Sequence, residues 1–203
     1  MNKTRLLVVG AGGHGRSVAE AAALSGRFEV VGFLDDSLPS GETVLGVPVL
    51  GPVASMAEQR AAAEQAIVAI GNNGVREKLM LQLATAGFDL ATVVHPRAIV
   101  SPSAVLGKGA AVMAGSIVGT EVRLGMGSIV NCGAVVDHHA TVEEFGHLGV
   151  NASMVGGTVL GRGAWMQAGA ALGYGVKVPA GVTLALGEAV DSRTRKYKND
   201  QRL

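Results

Sequence analysis

A six-residue repeat fills the second half of the chain and constrains its fold more than any other feature. Stepping by six from Val100 to Leu184 meets only Val, Leu or Met at fifteen successive positions. A turn position follows three residues after each, and it is glycine at ten of the fifteen: Gly109, Gly115, Gly127, Gly133, Gly157, Gly163, Gly169, Gly175, Gly181 and Gly187. This periodicity predicts a parallel β-helix of about five coils, with three units in each triangular coil.

The residue types of the repeat predict how the coil is packed. The aliphatic residue points inward and stacks on its equivalents in the coils above and below. Glycine suits the corners because it accepts backbone angles that side chains resist. A narrow interior leaves no room for rings, which agrees with an aromatic content of only 3%. Flat outer faces of this kind are typically buried by oligomerisation.

The departures from the glycine pattern are informative. The turn position is not glycine at Ser103, Glu121, His139, Phe145 and Asn151. Three of these five are consecutive units, within a stretch, 137–151, that also contains three of the five histidines. Because local rules fail here together with polar clustering, we interpret this stretch as a candidate active site. The alternative is that these residues simply decorate solvent-facing corners.

The histidines of this stretch allow two chemical interpretations. His138, His139 and His147 could bind zinc, although adjacent side chains on an extended chain point in different directions. A general base is the more natural role, because imidazole titrates near neutral pH and accepts a proton from an attacking amine or hydroxyl. A nearby carboxylate would fix the tautomer of the base. The candidates for it are Asp137, Glu143 and Glu144.

The first half of the chain alternates between predicted strands and helices, which indicates a small parallel, Rossmann-like α/β domain. We predict strands over 5–10, 29–34, 66–70 and 90–94 and helices over 16–24 and 75–86. The expected domains are 1–96 for the Rossmann-like unit, 97–190 for the β-helix and 191–203 for a C-terminal tail.

A glycine-rich loop, residues 10–15, matches G-x-G-x-x-G between the first strand and the first helix. Such a loop brings backbone N–H groups and a helix N-terminus to a phosphate, and Asp35 lies about 20 residues on, where a ribose or base would be held. The loop could instead be a purely structural turn. A dinucleotide-dependent reductase is disfavoured, since about four strands form only one mononucleotide half. The candidate substrate-binding residues are Gly12, Gly13, His14, Gly15, Asp35, Asp36, Gly71 and Asn72.

Bulk properties exclude several other classes of protein. The net charge of +1 gives no electrostatic signature of nucleic acid binding, and the only basic cluster, Arg193, Arg195, Lys196 and Lys198, reads as a solvated tail. No apolar run is long enough to span a membrane, so we expect no membrane insertion. Cys132 is the single cysteine, which excludes an internal disulfide. We expect a cytoplasmic protein.

Several motifs together resemble one family. The glycine loop 10–15, Phe33–Asp36, Ala69–Asn73, and the hexapeptide coils with His138 and Glu144–His147 resemble the bacterial nucleotide-amino-sugar N-acetyltransferases of the PglD type. The wider group includes sialic acid O-acetyltransferases of the NeuD type. The resemblance covers residues 3–190 and implies a left-handed β-helix, a homotrimer, and acetyl-CoA bound as co-substrate along the coils between subunits. No metal is implied.

The resemblance also implies roles for individual residues. The N-terminal domain would hold a UDP-sugar, with His14 at the phosphates, and His138 would be the general base. The Gly156 N–H would donate to the oxyanion. Asn131 would line the catalytic site together with Glu144, and acetyl-CoA would contact His147, Gly156, Ala168 and Leu186.

The expected reaction is acetyl transfer from acetyl-CoA to the amino group of a nucleotide-linked 4-amino-4,6-dideoxy sugar. O-acetylation of a sialic acid or a related sugar is the alternative. Two departures from the family pattern bear on this prediction. The family carries Glu directly after the base, where this chain has His139, and the usual C-terminal ending is replaced by residues 191–203.

Overall fold

The computed structural model describes residues 3–191. The basic cluster at Arg193, Arg195, Lys196 and Lys198 and, except for Asp191, the rest of the expected tail lie outside the described residues. Two units are visible in the chain: an α/β sheet followed by a solenoid of short parallel strands. This confirms the predicted fold class of a small Rossmann-like domain followed by a left-handed β-helix.

The first unit is a six-stranded sheet in the order β3-β4-β2-β1-β5-β6. Its strands are β1 (Thr4–Val9), β2 (Phe28–Leu34), β3 (Thr43–Val44), β4 (Val47–Gly51), β5 (Gln65–Val68) and β6 (Asp89–Leu90). The helices are α1 (Gly13–Leu24), a 3₁₀ helix (Val53–Ala61) and α2 (Asn73–Thr85). All strand pairs are parallel except β3 with β4.

The sequence prediction missed part of this sheet. The hairpin of β3 and β4 was not predicted, because β3 has only two residues and Pro48 interrupts β4. Its turn places Leu45 and Gly46 at φ 53° and 75°. The first helix begins at Gly13 rather than residue 16, since the glycine loop itself enters the helix.

The predicted strand over 90–94 was wrong as a single element. It is divided between two sheets: β6 pairs with β5, whereas β7 (Val93–Val94) pairs with Ala111–Val112 of the solenoid. The sequence concealed the crossing, because the buried residues Ala91 and Val93 lie on either side of it and read as one short strand. Solenoid pairing therefore begins before residue 97, where the second domain was expected to start.

The solenoid has three parallel faces built from strands of two residues each. The first face contains Val93–Val94, Ala111–Val112, Ile129–Val130, His147–Leu148, Trp165–Met166 and Thr183–Leu184 (β7, β10, β13, β16, β19 and β22). The second contains Ile99–Val100, Ile117–Val118, Val135–Val136, Ser153–Met154, Ala171–Leu172 and Ala189–Val190 (β8, β11, β14, β17, β20 and β23). The third contains Val105–Leu106, Arg123–Leu124, Thr141–Val142, Val159–Leu160 and Lys177–Val178 (β9, β12, β15, β18 and β21).

The repeat predicts the interior correctly. The aliphatic positions from Val112 to Leu184 form one buried cluster, which extends to Val190. The small residues two positions earlier, including Ala110, Ser116 and Ala134, are fully buried as well. The repeat continues by one unit beyond each end of the predicted run.

The corners also follow the predicted pattern. All ten turn glycines have φ between 63° and 72°. Four of the five exceptions adopt the same left-handed conformation, with φ of 57° at Glu121, 59° at His139, 59° at Phe145 and 55° at Asn151. Positive φ therefore occurs at fourteen of the fifteen turn positions, with Ser103 as the exception, and a non-glycine residue that adopts it is strained.

Three rows of corners run along the solenoid, because successive turns fall on successive edges of the triangle. The His139 corner (turn residues 103, 121, 139, 157 and 175) joins the second face to the third. The Phe145 corner (109, 127, 145, 163 and 181) joins the third face to the first. The Asn151 corner (115, 133, 151, 169 and 187) joins the first face to the second.

The α/β unit packs on the first face and on the Phe145 corner. Val93, Ala111 and Ile129, which point outward from the first face, share a buried cluster with β1, β2 and α1. Phe145 is 1% exposed in a second cluster with Met80 and Leu83 of α2. The Phe145 ring therefore lies outside the coil, and the coil interior contains no aromatic ring among the described residues.

Candidate functional site

His138 lies at the His139 corner, where its ring begins a chain of three polar side chains. Its Nδ1 is 2.9 Å from Nδ1 of His139, and the two rings meet edge to face. Nε2 of His139 in turn lies 3.1 Å from a carboxylate oxygen of Glu121, one coil earlier. The three side chains form a continuous polar chain, which remains half or more exposed to solvent.

Asp137 is the other carboxylate near His138. Its Oδ1 accepts a hydrogen bond from the His138 backbone N–H at 2.7 Å. Its Oδ2 is 3.6 Å from Nε2 of His138, which is beyond hydrogen-bond distance. Asp137 therefore fixes the main chain at His138, and Nε2 of the ring makes no hydrogen bond to this carboxylate.

Gly156 lies directly under the His138 ring in the next coil. A Cβ atom at residue 156 would be 2.4 Å from Cε1 of His138, so any side chain there would displace the ring. The requirement is for space, since Gly156 does not have a positive φ. Its backbone N–H donates to no group within residues 3–191, whereas the Gly157 N–H donates to the His138 carbonyl at 3.0 Å.

The structure does not bring the other predicted carboxylates to His138. Glu144 pairs with Arg162 at 3.5 Å, and Glu143 accepts from the Arg162 backbone N–H at 2.8 Å. Arg162 also forms an ion pair with Glu77 of α2 and lies over the Phe145 ring. Glu143 and Glu144 precede the Phe145 corner, where this charge network joins the solenoid to α2.

A groove of about 360 Å³ opens between the first face and the Asn151 corner. Four predicted site residues line it, namely Asn131, His147, Ala168 and Leu186. Gly156 does not line this groove. Trp165 forms part of its wall, and its indole stacks on His147 with ring centroids 5.3 Å apart. The partly exposed Trp165 and the exposed Leu186 give the groove an apolar surface.

The glycine loop forms a second hollow of about 320 Å³ at the carboxyl ends of β1, β2 and β5. Its lining includes five predicted residues: Gly12, Gly13, His14, Asp35 and Gly71. A Cβ atom at Gly12 or Gly13 would meet nothing within 4 Å, so the loop is open to a ligand. His147 joins this hollow to the groove, because its Nδ1 is 3.2 Å from the Gly71 carbonyl oxygen.

The remaining predicted residues of the loop region brace its structure. A Cβ atom at Gly15 would be 1.9 Å from the Gly10 carbonyl oxygen, so Gly15 permits close packing of α1 on β1. Asp36 accepts from the Val53 N–H at 2.8 Å. Asn72 caps α2 by accepting from the Val75 N–H at 3.0 Å. None of Gly15, Asp36 and Asn72 lines the hollow.

Asp35 supports the glycine loop from below. Its Oδ2 accepts from the Ala11 N–H at 2.7 Å, and its Oδ1 accepts from the backbone N–H and hydroxyl of Ser37. Partial burial alone would raise the pKa of Asp35, but these hydrogen bonds outweigh it and lower the pKa. Asp35 is therefore a carboxylate at neutral pH.

Arg76 is a fully buried cation close to where the hollow meets the groove. Its guanidinium donates to four backbone carbonyls and to the Asn73 side chain: Gly127 O at 2.7 Å, Ile70 O at 2.9 Å, Gly71 O at 3.1 Å, Phe145 O at 2.9 Å and Asn73 Oδ1 at 2.8 Å. These bonds join the α/β unit to the Phe145 corner. Burial lowers the pKa of Arg76 only to about 10, so it keeps its charge.

This charge acts on two histidines. Burial and then the Arg76 charge lower the pKa of His14 to about 4. Burial, Arg76 and His14 lower the pKa of His147 to about 3, against the opposing hydrogen bond to Gly71. Both rings are therefore neutral near pH 7. The His14 Nε2 atom is buried without a hydrogen-bond partner among the described residues.

The three histidines considered for zinc do not come together. His147 stacks on Trp165 on the first face, whereas His138 and His139 lie at the corner between the other two faces. Over residues 3–191 no group of three or more His, Cys, Asp or Glu side chains is placed to hold a metal ion. In the same part of the chain no helix is long and apolar enough to cross a membrane.

An α/β unit with an open glycine loop, joined to hexapeptide coils that carry a corner histidine, defines the class of hexapeptide-repeat acyltransferases. A family model of the PglD N-terminal domain matches residues 5–83. The acetyltransferase domain of PglB from Neisseria gonorrhoeae FA1090, solved with acetyl coenzyme A, is 36% identical to this chain. The match covers 94% of each chain with a TM-score of 0.87. The chain belongs to the PglD-type sugar acetyltransferase family.

Two further relatives agree with this assignment. PerB from Caulobacter crescentus, solved with CoA and GDP-perosamine, is 35% identical, with 91% of this chain and 87% of that chain covered and a TM-score of 0.86. A UDP-N-acetylbacillosamine N-acetyltransferase of Bacillus subtilis is 35% identical over 109 residues. This match covers 53% of the chain and spans half the length of the curated relative.

Sequence reasoning missed several residues that the structure brings to the site. Arg76, Trp165 and Glu121 were not assigned to it. Arg76 gave no signal, because a lone arginine on a helix usually faces solvent. Glu121 did give one: it is a non-glycine turn residue 18 positions, or one coil, before His139.

Proposed function

We propose that this protein transfers an acetyl group from acetyl-CoA to the amino group of a nucleotide-linked amino sugar of the UDP-4-amino-4,6-dideoxy type. The observation that carries the proposal is His138, a half-exposed corner histidine seated over Gly156 in a chain of this family. Two of the relatives are named as N-acetyltransferases or were solved with a nucleotide-linked sugar, which favours an amine acceptor over the hydroxyl of a sialic acid.

The proposed chemistry is direct attack in a ternary complex. The sugar amine attacks the thioester carbonyl carbon while Nε2 of His138 accepts the amine proton. The open Gly156 N–H is a donor for the oxyanion of the tetrahedral intermediate. The intermediate collapses with cleavage of the carbon–sulfur bond, and the His138 imidazolium returns its proton to the departing thiolate. The products are the N-acetylated sugar and free CoA.

The hollow and the groove supply the two binding regions. We assign the nucleotide-sugar phosphates to the glycine loop with Gly12, Gly13 and His14, where the buried Arg76 adds positive charge. We assign acetyl-CoA to the groove with His147, Ala168 and Leu186, and place Asn131 where the two regions meet.

A single chain does not bring these parts together. His138 lies at the His139 corner, whereas the groove and hollow lie along the first face, with the whole second face between them. Ile99 and Ile117 leave apolar surface exposed on that second face. We therefore propose a homotrimer in which His138 of one subunit completes the site of the next, and expect a trimer mass in solution. We place the reaction in the cytoplasm, where both nucleotide-bearing substrates are made.

The test is a thiol-release assay with acetyl-CoA and a panel of UDP- and GDP-linked amino sugars, with sialic acid as the hydroxyl arm. We expect turnover with at least one amino sugar. His138→Ala should lower kcat by roughly 100-fold or more, as expected for loss of a general base, with little change in the KM for acetyl-CoA.

The matched control is His95→Ala. His95 lies where the solenoid begins, and within residues 3–191 its Nδ1 accepts only from the backbone N–H of Arg97. This variant should keep the activity of the original protein. Failure of every acceptor on the panel, or full activity in His138→Ala, would refute the proposal.

A further inference from the structure

Two non-glycine residues at the His139 corner have no structural explanation in packing. Glu121 and His139 lie one coil apart, with φ of 57° and 59°, at a position where glycine is the usual residue. Each such conformation is strained for a residue that carries a side chain. Phe145 offsets that strain by burying its ring, but the side chains of Glu121 and His139 are 62% and 61% exposed. The next coil has Gly157 at the same corner.

Their contacts determine a consistent set of protons. Glu121, as a carboxylate, can only accept, so its oxygen 3.1 Å from Nε2 of His139 favours the hydrogen on that nitrogen. A neutral His139 then has a lone pair on Nδ1. The 2.9 Å contact between the two Nδ1 atoms therefore requires that Nδ1 of His138 donates. Nε2 of His138 is left with its lone pair free, which is the form a base needs.

We propose that His139 and Glu121 are positioning residues, which act as a relay that holds the His138 ring and its Nδ1–H tautomer. The proposal rests on the proposed function, in which His138 accepts the acceptor proton. His139 occupies the place of the family's carboxylate, and Glu121 supplies that carboxylate from the preceding coil through the imidazole.

The relay also stabilises the positive charge that forms on His138 during the reaction. When Nε2 of His138 takes a proton, the imidazolium keeps its Nδ1–H bond to His139, and the Glu121 carboxylate lies on the far side of that ring. The negative charge of Glu121 stabilises the imidazolium across the His139 ring, and no proton needs to reach Glu121. The other nearby carboxylate, Asp137, lies on the Nε2 side at 3.6 Å and cannot select this tautomer.

The first test removes each relay side chain without disturbing the fold. His139→Gly and Glu121→Gly place glycine at a left-handed turn, so the free energy of unfolding should not fall. We expect kcat to fall roughly 10- to 100-fold in either variant, because the base loses its orientation and its counter-charge, with the KM values nearly unchanged. The double variant should lose no more than the worse single one, since the two residues act in series.

The matched control is Leu45→Gly. Leu45 has φ 53° in the turn between β3 and β4, so this change relieves the same kind of strain away from His138. Its kcat should equal that of the original protein. His139→Glu is the rescue variant: it places a carboxylate beside His138 at a φ that Glu121 already adopts, and it should recover about tenfold over His139→Gly.

The second readout needs no substrate. In ¹⁵N spectra of labelled protein, the neutral His138 ring should show the Nδ1–H tautomer, assigned by its loss in His138→Ala. In His139→Gly it should shift toward a mixture of tautomers. A ring that keeps the same tautomer in His139→Gly, or a full kcat in both glycine variants, would overturn the relay.

These outcomes separate the relay from the proposed function. If His138→Ala abolishes turnover while Glu121→Gly and His139→Gly do not affect it, only the relay is wrong. If no sugar is acetylated at all, the proposed function fails, and the tautomer of His138 still decides whether the relay exists.

Discussion

The His139 corner and the Phe145 corner break the same rule for different reasons. Both place non-glycine residues at a turn that requires positive φ. At the Phe145 corner the side chain is 1% exposed under α2, and the buried Arg76 donates to the Phe145 carbonyl. At the His139 corner the side chains of His139 and Glu121 stay exposed and form a polar chain to His138. One exception fastens a domain, and we propose that the other supports chemistry.

Strained corner residues in this protein are compensated in two different ways. A left-handed residue is compensated by burial in one case, and by a polar contact to a candidate catalytic group in the other. Only the second kind points to function. The exposed fraction and the contacts of the side chain distinguish the two kinds, whereas the backbone angle is the same.

The largest effect is expected at the Phe145 corner. Arg76→Ala would remove the donor of three backbone carbonyls in a buried interface and leave the Gly71 carbonyl with His147 alone, and we expect the free energy of unfolding to fall by about 3 kcal/mol or more. Chemical denaturation would measure it. Lys78→Ala, an exposed change two residues along α2, should stay within about 0.5 kcal/mol. A small loss of stability in Arg76→Ala would mean that the α/β unit does not depend on the Arg76 hydrogen bonds to the Phe145 corner.

The second prediction uses two adjacent glycines at the His139 corner. Gly156→Ala introduces a Cβ atom 2.4 Å from Cε1 of His138, so the ring must move, and kcat should fall roughly 100-fold. Gly157→Ala meets no atom within 4 Å but has φ 67°, so it should lose about 1 kcal/mol of stability and keep its activity. Assays and melting curves on both proteins would test the contrast. Equal losses of activity in the two variants would contradict the idea that Gly156 leaves room for the His138 ring whereas Gly157 only relieves backbone strain.

The smallest effect concerns acid stability of the interface. His14 and His147 have folded-state pKa values of about 4 and about 3, below the ordinary 6.5, so the unfolded chain takes up protons first as pH falls. Stability should therefore be full above pH 6.5 and decline toward pH 3–4, by about 1 kcal/mol between pH 7 and pH 6. Urea unfolding across this range would measure it. His147→Gln should reduce the slope, and an unchanged slope would contradict the buried neutral state.

Much of the fold was readable from the residues. The period of six identified the coil interior from Val112 to Leu184 and the turn that requires positive φ. The glycine loop and Asp35 were placed at one sheet edge, where the structure has them. The hairpin of β3 and β4 escaped detection, because strands of two to five residues carry little periodic signal.

The candidate site was harder to predict, because proximity in sequence is misleading in a triangular coil. Residues 139, 145 and 151 look like one cluster, yet they lie at three different corners. Glu144 was expected near His138 and instead pairs with Arg162. The partners from other coils are one coil away: Gly156 is 18 residues from His138, and Glu121 is 18 residues from His139.

The sequence by itself determined that a β-helix follows a glycine loop of the nucleotide-binding type. The residue preferences at each position of the repeat recur in every coil and need no distant partner. Only the tertiary structure decided which exceptions serve the interface and which serve His138. That choice depends on contacts between coils and between domains, such as Glu121 with His139 and Arg76 with Phe145. A linear pattern does not encode such contacts, since they arise only when the corners are stacked and α2 is docked.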